Sequence, residues 1–174
     1  FHLFAGCLGP DHADTLRTMV ANHETVCFPG GAGTLINGVI EGDHARLNGR
    51  ASFGSGCRYA DWTGLAYVVV DRDGNRVQPL DLRFSMARLD DHTVKIDPTW
   101  DGSAVRASAT DDVYFTDTLV PLSRSVTWYG ANRAEALREV PVIAPRYRED
   151  WVGLSDLWLA WMGVGLARAA LTDV

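Results

Sequence analysis

Two glycine-rich segments carry the residues of this chain that are best suited to contact a ligand. The first is PGGAGT, Pro29 to Thr34, which follows a short strand-like run. Exposed backbone N–H groups in such a loop can contact a phosphate or the edge of a flat cofactor. The segment matches neither the GxGxxG pattern nor the GxxxxGK[ST] loop, so it does not indicate a Rossmann or NTPase site. Taken by itself, it is more often a turn that binds nothing.

The second segment, Asn48 to Trp62, reads NGRASFGSGCRYADW. The Asn48-Gly49 pair is typical of a tight turn, and Phe53 to Gly56 is poor in side chains for a strand. Glycines here would let the backbone approach a flat group, with Phe53 offering an aromatic face and Ser55 a single hydroxyl. The alternative is a barrel corner with a β-bulge and no ligand.

Composition argues against several other functions. The net charge is −6, from 22 acidic and 16 basic residues without a basic block, so a nucleic-acid partner is not expected. Three cysteines without CxxC spacing indicate neither a disulfide framework nor a zinc site, and they favour a reducing cytoplasm. The five histidines lack metal spacing, so no metal is expected, and His2 alone is kept as an outside candidate for substrate contact. The apolar stretch near Trp158 to Leu171 falls short of the ~20 residues of a membrane span, so no membrane partner is expected.

The rest of the chain must position these segments, and its pattern predicts a mainly β middle. A short helix is predicted from Asp11 to Ala21, with Asp11 as its cap. Turn residues then separate about six strand-like runs, which close as a barrel or pack as a sandwich. The runs are Glu24 to Phe28, Val39 to Leu47, Leu65 to Asp71, Leu82 to Leu89, His92 to Ile96 and Val113 to Val120.

Two later patterns bear on packing. Leu82, Phe84 and Met86 alternate with Arg83, Ser85 and Ala87, which predicts one face towards the core and the other towards water or a ligand. From Ser155, predicted as a cap, LWLAWMGVGLARAAL is apolar around most of its circumference. Such a helix needs covering on more than one side, so we expect another subunit or a further helical segment against it.

The order of these motifs resembles the acyl-CoA dehydrogenase superfamily. PGGAGT, LNGR and F-x-S-G-C-x-x-A-D-W fall where that family has a T-E-P-x-A-G-S loop, an I-N-G-x-K turn and a W-I-T-N segment. Asp97 to Pro121 resembles the end of the family's middle domain, and LWLAWMGVGLARAAL resembles the first long helix of its C-terminal bundle. The resemblance implies a mainly β fold, an acyl-CoA-dehydrogenase-type middle β-barrel flanked by short N-terminal and C-terminal helices, as a fragment of an α+β flavoprotein.

The resemblance also implies a flavin site, with FAD or FMN as the cofactor, in its reduced form. The family's cofactor-binding residues fall on Cys27, Phe28, Pro29, Gly33, Thr34, Phe53 and Ser55. The backbone from Cys27 to Pro29 would contact the isoalloxazine ring, and Gly33 and Thr34 would approach the cofactor's phosphates. Phe53 replaces a tryptophan packed beside the ring. Ser55 replaces a threonine that hydrogen-bonds the reactive ring nitrogen, which makes Ser55 the one catalytic candidate.

Departures from the dehydrogenase pattern favour the flavin-dependent monooxygenase branch. The Ser-Gly-Cys form of the second segment, TWD at Thr99 to Asp101 and PRYR from Pro145 are similar to that branch. Its members receive reduced flavin from a separate reductase and use oxygen on a small or aromatic substrate. Two alternatives stay open: an acyl-CoA dehydrogenase that oxidises an acyl thioester with FAD, and a truncated, non-catalytic barrel that acts as an interaction module.

The resemblance divides the chain into the end of an N-terminal helical region (1–22), a middle β-barrel domain (23–126), a connector (127–154) and the start of a C-terminal bundle (155–174). The chain starts at Phe1 rather than at methionine, and the family's catalytic glutamate belongs to the bundle beyond Val174. We therefore expect a fragment that is incomplete as an enzyme, in which no acid is assigned as the base. A homo-oligomer or a complementary helical subunit is expected, and flavin binding by the chain alone is expected to be weak.

Overall fold

A computed structural model describes residues 10–29, 35–129 and 151–172. The chain divides into two compact units, residues 1–140 and 141–174. The first unit contains helix α1 (Pro10–Ala21) and the described strands, and the second contains helix α2 (Trp151–Thr172). The strands are β1 (Val26–Cys27), β2 (Leu35–Glu41), β3 (His44–Gly54), β4 (Trp62–Val70), β5 (Leu82–Arg88), β6 (Val94–Asp97), β7 (Asp111–Pro121) and β8 (Val126–Tyr129).

The eight described strands form one curled sheet, a half-barrel. They follow the order β6-β7-β3-β2-β4-β5-β8, and β1 pairs with β4 outside this path. Neighbouring strands are antiparallel except that β1 and β2 both run parallel to β4. The predicted mainly β class is confirmed, and the sheet holds more strands than the six runs that the sequence pattern separates.

An apolar core holds the sheet together. Strand β4 is the best buried, since it lies between β2 and β5 and also pairs with β1. Each large apolar side chain removed from water stabilises the fold by about 1.5–3 kcal/mol. The core cluster includes Ile36, Leu47, Leu65, Tyr67, Val113, Phe115 and Val120.

The prediction that β5 has one wet face is wrong for its centre. Ser85 is fully buried and Ala87 is 6% exposed, on the face predicted to meet water or a ligand. Ser85 donates its hydroxyl proton to the carbonyl of Arg124, which lies in the 3₁₀ turn Leu122–Arg124 just before β8. Because β8 pairs with β5 and this turn covers the second face, the centre of β5 is enclosed on both sides.

The predicted tight turn at Asn48-Gly49 is also wrong, because both residues lie inside β3. Gly49 pairs with Ile36 on β2 and with Phe115 on β7, so neighbours on both sides keep the strand extended. The register with β7 shifts at this point. The Asn48 side chain fills the irregularity by accepting the backbone N–H of Asp117 at 3.0 Å and donating to its carboxylate at 3.1 Å.

Helix α1 confirms the predicted short N-terminal helix and begins one residue earlier, at Pro10, so Asp11 lies within the helix and the prediction that it caps the N-terminus is wrong. Proline suits a first helical turn because its missing N–H would have no partner there. Met19 faces inward and is only 3% exposed.

Helix α2 begins at Trp151, so Ser155 lies within the helix and the prediction that it caps the N-terminus is wrong. The side chains from residue 157 to 172 are all exposed, with Trp158 at 67% and Trp161 at 68%. Within the described ranges, neither helix combines the length and apolarity that crossing a bilayer requires. The predicted connector falls mostly on residues 130–150, which lie outside the described residues.

Candidate functional site

The end of β3 holds Phe53 in an unusual conformation. Its φ is +62°, in the left-handed region that non-glycine residues rarely adopt, and its side chain is 55% exposed. The register between β3 and β7 shifts between Ala51 and Gly54, which identifies a bulge. A Cβ on Gly54 would lie 3.1 Å from the carbonyl oxygen of Asp111, so glycine allows the two strands to approach closely. The bulge anticipated as the alternative explanation of this segment is present, and it is the feature that turns Phe53 outward.

The Ser55 hydroxyl lies at the surface beside this bulge. Its Oγ is 3.0 Å from Oγ1 of Thr110, which is in turn 2.6 Å from Oγ of Ser108. The Ser55 backbone N–H donates to the carbonyl of Phe53, and Gly56 donates to the carbonyl of Ser108 at 2.7 Å. The hydroxyl is therefore available to a ligand and is not committed to the core.

The buried carboxylate of Asp111 binds Arg58 in the turn after β3. The Asp111 side chain is completely buried and accepts two hydrogen bonds from Arg58, one of them 2.9 Å long, and one from the backbone N–H of Trp100 at 2.9 Å. The Arg58 guanidinium holds the pKa of the Asp111 carboxyl below its usual range. The ion pair thus ties the turn after β3 to the start of β7 and to the loop that precedes it.

The first predicted segment is described only up to Pro29. Cys27 lies in β1 opposite Thr63 on β4, and its side chain is buried. Burial raises the pKa of the Cys27 thiol to about 11, so the group stays protonated near neutral pH and is unsuited to act as a nucleophile. Pro29 is buried as well, whereas Phe28 is partly exposed.

Phe28 packs against Phe84 on β5, with ring centroids 5.6 Å apart. Gly64 on β4 makes room for this pair: a Cβ there would lie 2.8 Å from Phe84 Cζ and 3.0 Å from Phe28 Cδ2. The aromatic contact therefore fixes the position of the chain immediately before the glycine-rich loop.

Gly33 and Thr34 lie outside the described residues, so their predicted contact with phosphates stays a prediction. The flanks of that loop are described: Cys27 pairs with Thr63, and Leu35 pairs with Arg50 on β3. Cys27 and Cys57 belong to the same core cluster. We predict that Pro29–Thr34 lies beside Phe53–Ser55 on adjacent strands, and this adjacency depends on residues 30–34, which lie outside the described residues.

Sequence reasoning missed the groups that hold the site. Arg106–Ser108 forms a 3₁₀ turn, and Thr110 immediately precedes β7. The Thr110 hydroxyl contacts the hydroxyls of both Ser55 and Ser108, whereas Arg106 faces Asp101 at the surface, 3.7 Å away. The R-x-S-x-T pattern was the available signal.

Comparison with known proteins finds relatives in sequence and in fold. No family model matches the chain. Among curated relatives, the chain is 26% identical over 173 residues to indole-3-acetate monooxygenase of Acinetobacter baumannii, covering 99% of this chain and 41% of the relative. It is 26% identical over 142 residues to the oxygenase subunit HsaA, a flavin-dependent monooxygenase of Rhodococcus jostii, covering 82% of this chain and 34% of the relative. The chain thus spans well under half the length of the curated relatives it matches.

Solved structures give the same fold. HsaA monooxygenase of M. tuberculosis superposes with a TM-score of 0.70 at 19% identity, covering 86% of this chain and 36% of that one. XiaF from Streptomyces sp., in complex with FADH2 and glycerol, has a TM-score of 0.68 at 22% identity, and the match covers 84% of this chain and 35% of XiaF. KijD3 in complex with FMN and a dTDP-sugar has a TM-score of 0.58 at 23% identity, and the match covers 72% of this chain and 31% of KijD3.

The chain therefore has the fold of the acyl-CoA-dehydrogenase-like flavoproteins, as the order of its motifs predicted. Within that fold, its curated and structural neighbours are flavin-dependent monooxygenases together with KijD3.

Proposed function

We propose that the chain is the flavin-facing part of a flavin-dependent monooxygenase that uses reduced flavin and oxygen on a small or aromatic substrate. The observation that carries this proposal is the exposed Phe53 ring and the exposed Ser55 hydroxyl, two residues apart at the strained end of β3. The names of the curated relatives support the reaction class, and structural neighbours holding FADH2 or FMN support the cofactor.

The residues at this turn fit a flat cofactor with a polar edge. A phenylalanine that is 55% exposed forgoes much of the roughly 1.5–3 kcal/mol that burial provides, and it does so here at a disfavoured φ. Stability alone does not account for that arrangement, and strained residues of this kind cluster at functional sites. An aromatic face beside a hydroxyl offers packing to a ring and one hydrogen bond to its edge.

Each residue then has a definite task. Bound reduced flavin would supply the electrons that activate oxygen. Phe53 would pack beside the isoalloxazine ring, and Ser55 would hydrogen-bond its reactive nitrogen. The backbone of Cys27 to Pro29 would border the ring, while Gly33 and Thr34 would approach the phosphates. The buried thiol of Cys27 takes no part in the chemistry, because it stays protonated.

The whole protein would need partners. A separate flavin reductase would deliver the reduced flavin, which would be either FAD or FMN. We propose a homo-oligomer or a complementary helical subunit against α2, because its exposed tryptophans are unusual on a solvated helix. We also propose a cytoplasmic location, which the free thiols of Cys27 and Cys57 support.

Flavin binding by the full chain tests the proposal. Equilibrium dialysis under anaerobic conditions would give the dissociation constants of oxidised and reduced FMN and FAD. Replacing Phe53 with alanine should weaken binding about three- to tenfold, since it removes an aromatic contact. Ser55→Ala should weaken binding by a similar factor through loss of one hydrogen bond.

Matched controls lie close by. Tyr59 is 71% exposed in the same turn, and Ser123 is an exposed serine remote from the bulge in sequence. Tyr59→Ala and Ser123→Ala should bind flavin as the unmodified chain does. No binding at millimolar flavin, or equal effects of site and control variants, would refute the proposal and favour the interaction module.

The acyl-CoA dehydrogenase alternative has less support. The curated relatives described above are monooxygenases by name, and the serine-glycine-cysteine form of the turn resembles that branch. A dehydrogenase would bind an acyl thioester. Slower amide hydrogen exchange at Phe53 and Ser55 on addition of acyl-CoA would support this alternative.

A further inference from the structure

We propose that the Val105 side chain contacts the planar apolar ring of a bound ligand, either the flavin or an aromatic substrate, at the site that contains Phe53 and Ser55. The inference rests on the proposed function and adds to it a contact residue from a second loop, the one between β6 and β7. The observation behind it is a valine that has a disfavoured φ and a side chain in solvent.

The backbone of Val105 is strained, although its side chain gains little from the fold. Its φ is +53° and its ψ is +38°, in the left-handed region where β-branched residues are rarely found. The side chain is 74% exposed. Glycine adopts these angles without the steric penalty, so the stability of the fold would favour glycine at this position. The valine side chain therefore needs an explanation other than packing within this chain.

The surroundings of other residues with a positive φ account for their conformations. His23 follows the end of α1, where a left-handed residue is common. Asp117 makes two hydrogen bonds to a side chain of β3, and Ala109 is only 2% exposed. Among the described non-glycine residues, Phe53 and Val105 are the two that combine a positive φ with an exposed large apolar side chain.

Hydrogen bonds connect Val105 to the turn that contains Ser55. The Val105 carbonyl accepts the backbone N–H of Ser108 at 3.0 Å, and the Ser108 carbonyl accepts the N–H of Gly56 at 2.7 Å. The Val105 carbonyl also accepts the indole N–H of Trp100 at 3.1 Å. Because two donors bind this one carbonyl, the backbone at Val105 is fixed one short turn away from the turn after β3.

A planar apolar ring suits these two side chains. Phe53 and Val105 are both more than half exposed, and they belong to turns that backbone hydrogen bonds join. A ring that covered them would provide the apolar burial that the fold alone does not. Strained residues cluster at ligand sites because the surrounding structure maintains them there. A flavin and an aromatic substrate share this chemistry, so separate binding measurements must distinguish them.

Val105→Gly and Val105→Ala in the full chain test the inference by equilibrium dialysis against FMN, and against indole with FMN present. Both variants should weaken binding of the contacted ligand about three- to tenfold, because an apolar contact is lost. Val105→Gly should at the same time raise the melting temperature by about 2–4 °C, because glycine relieves the strain. A structural role would lower stability and affinity together, so the opposite signs identify a ligand contact.

Helix α1 offers a matched control for each effect. Val20 is also 74% exposed, so Val20→Ala removes an equally exposed valine side chain outside the site. His23 has a φ of +57°, so His23→Gly relieves a similar strain. Both controls should leave the affinities for FMN and indole unchanged, and His23→Gly should raise the melting temperature.

The outcomes separate the two proposals. Weaker FMN binding by both Val105 variants assigns the contact to the flavin, and weaker indole binding with unchanged FMN binding assigns it to the substrate. If neither affinity falls, the contact role of Val105 is wrong, while the proposed function stands if Phe53→Ala and Ser55→Ala weaken FMN binding. Affinity that falls together with the melting temperature in both variants would also overturn the inference. If the unmodified chain binds no FMN, both proposals fail.

Discussion

Asp111 is the residue on which the candidate site depends most directly. Its carboxylate is fully buried and accepts hydrogen bonds from Arg58 and from the backbone of Trp100. Removing one partner of such a pair leaves the other charge unsatisfied, which is costly. Part of that cost is recovered here because the Arg58 side chain is 43% exposed and can turn to water.

We expect Asp111→Asn to lower the free energy of unfolding at pH 7 by about 1–3 kcal/mol, because the charge and one acceptor are lost. Because Arg58 lowers the folded-state pKa of Asp111, the ionised carboxylate contributes stability above about pH 4, and this contribution is lost as pH falls through the lowered pKa. Urea unfolding at several pH values should therefore show a smaller loss of stability on acidification for the variant. Asp101→Asn, at an exposed acid of the same loop, is the control. If the free energy of unfolding fell by the same amount on acidification for Asp111→Asn and for the unmodified chain, this role of Asp111 would be contradicted.

Gly64→Ala tests the aromatic contact before the glycine-rich loop. The added methyl would lie 2.8 Å from Phe84 and 3.0 Å from Phe28, so one ring must move, at about 1–3 kcal/mol. The melting temperature should fall. Gly163→Ala is the control, because its methyl meets nothing within 4 Å and alanine favours a helix. An unchanged melting temperature for Gly64→Ala would show that Phe28 packs loosely.

Residue identities drew attention to part of the candidate site. Phe53 and Ser55 were selected because their types matched a motif in the correct order; both are exposed at one turn, and their contact with flavin stays a prediction. Thr110 and Asp111 were missed because their contacts with Ser55 and Arg58 span more than fifty positions of sequence. Those contacts exist only because β3 and β7 pair with a shifted register, and periodicity within one strand carries no information about register between strands.

The wrong predictions for strands β3 and β5 have the same cause, because contacts between elements cannot be read from the sequence of one strand. Gly49 follows asparagine as in a hairpin turn, but pairing on both sides holds β3 extended through it. Propensity was overridden by tertiary contacts, as it often is in strands. The alternation in β5 predicted one wet face, which is wrong for the centre of the strand because burial of that face depends on the 3₁₀ turn Leu122–Arg124, which is distant in sequence. Helix α1 and the mainly β class needed only local pattern, and both are confirmed.

Helix α2 supports a prediction about association. Its side chains from 157 to 172 are exposed, including Trp158 and Trp161. Exposed tryptophans are a strong driving force for burial at an interface. We expect Trp158→Gln with Trp161→Gln to shift the full chain towards monomer in sedimentation velocity at tens of micromolar. Leu171→Gln, near the end of the helix and 80% exposed, should have a smaller effect. An unmodified chain that is monomeric at high concentration would contradict the expectation.

For the whole molecule, the main prediction concerns affinity. The chain spans 41% or less of the curated relatives' length, and we propose that a complete flavin site would include further contacts from a helical bundle and a neighbouring subunit. A flavin ring that contacts only this chain lacks those further contacts, and every ~1.4 kcal/mol of lost binding free energy weakens binding tenfold. We expect a dissociation constant in the micromolar range or weaker, and dialysis that gave a submicromolar value would contradict it.

The two successive residues Thr110 and Asp111 hold the turn after β3 at two points, Ser55 and Arg58, which should make opening of this turn slow. Opening the turn would require both contacts and the Gly56 to Ser108 hydrogen bond to break together. Its amide protons should therefore exchange with solvent as slowly as those in the centre of β3, although the turn lies at the surface. A binding partner would then meet a surface that is already arranged, so its association rate would be limited by encounter rather than by ordering of the turn.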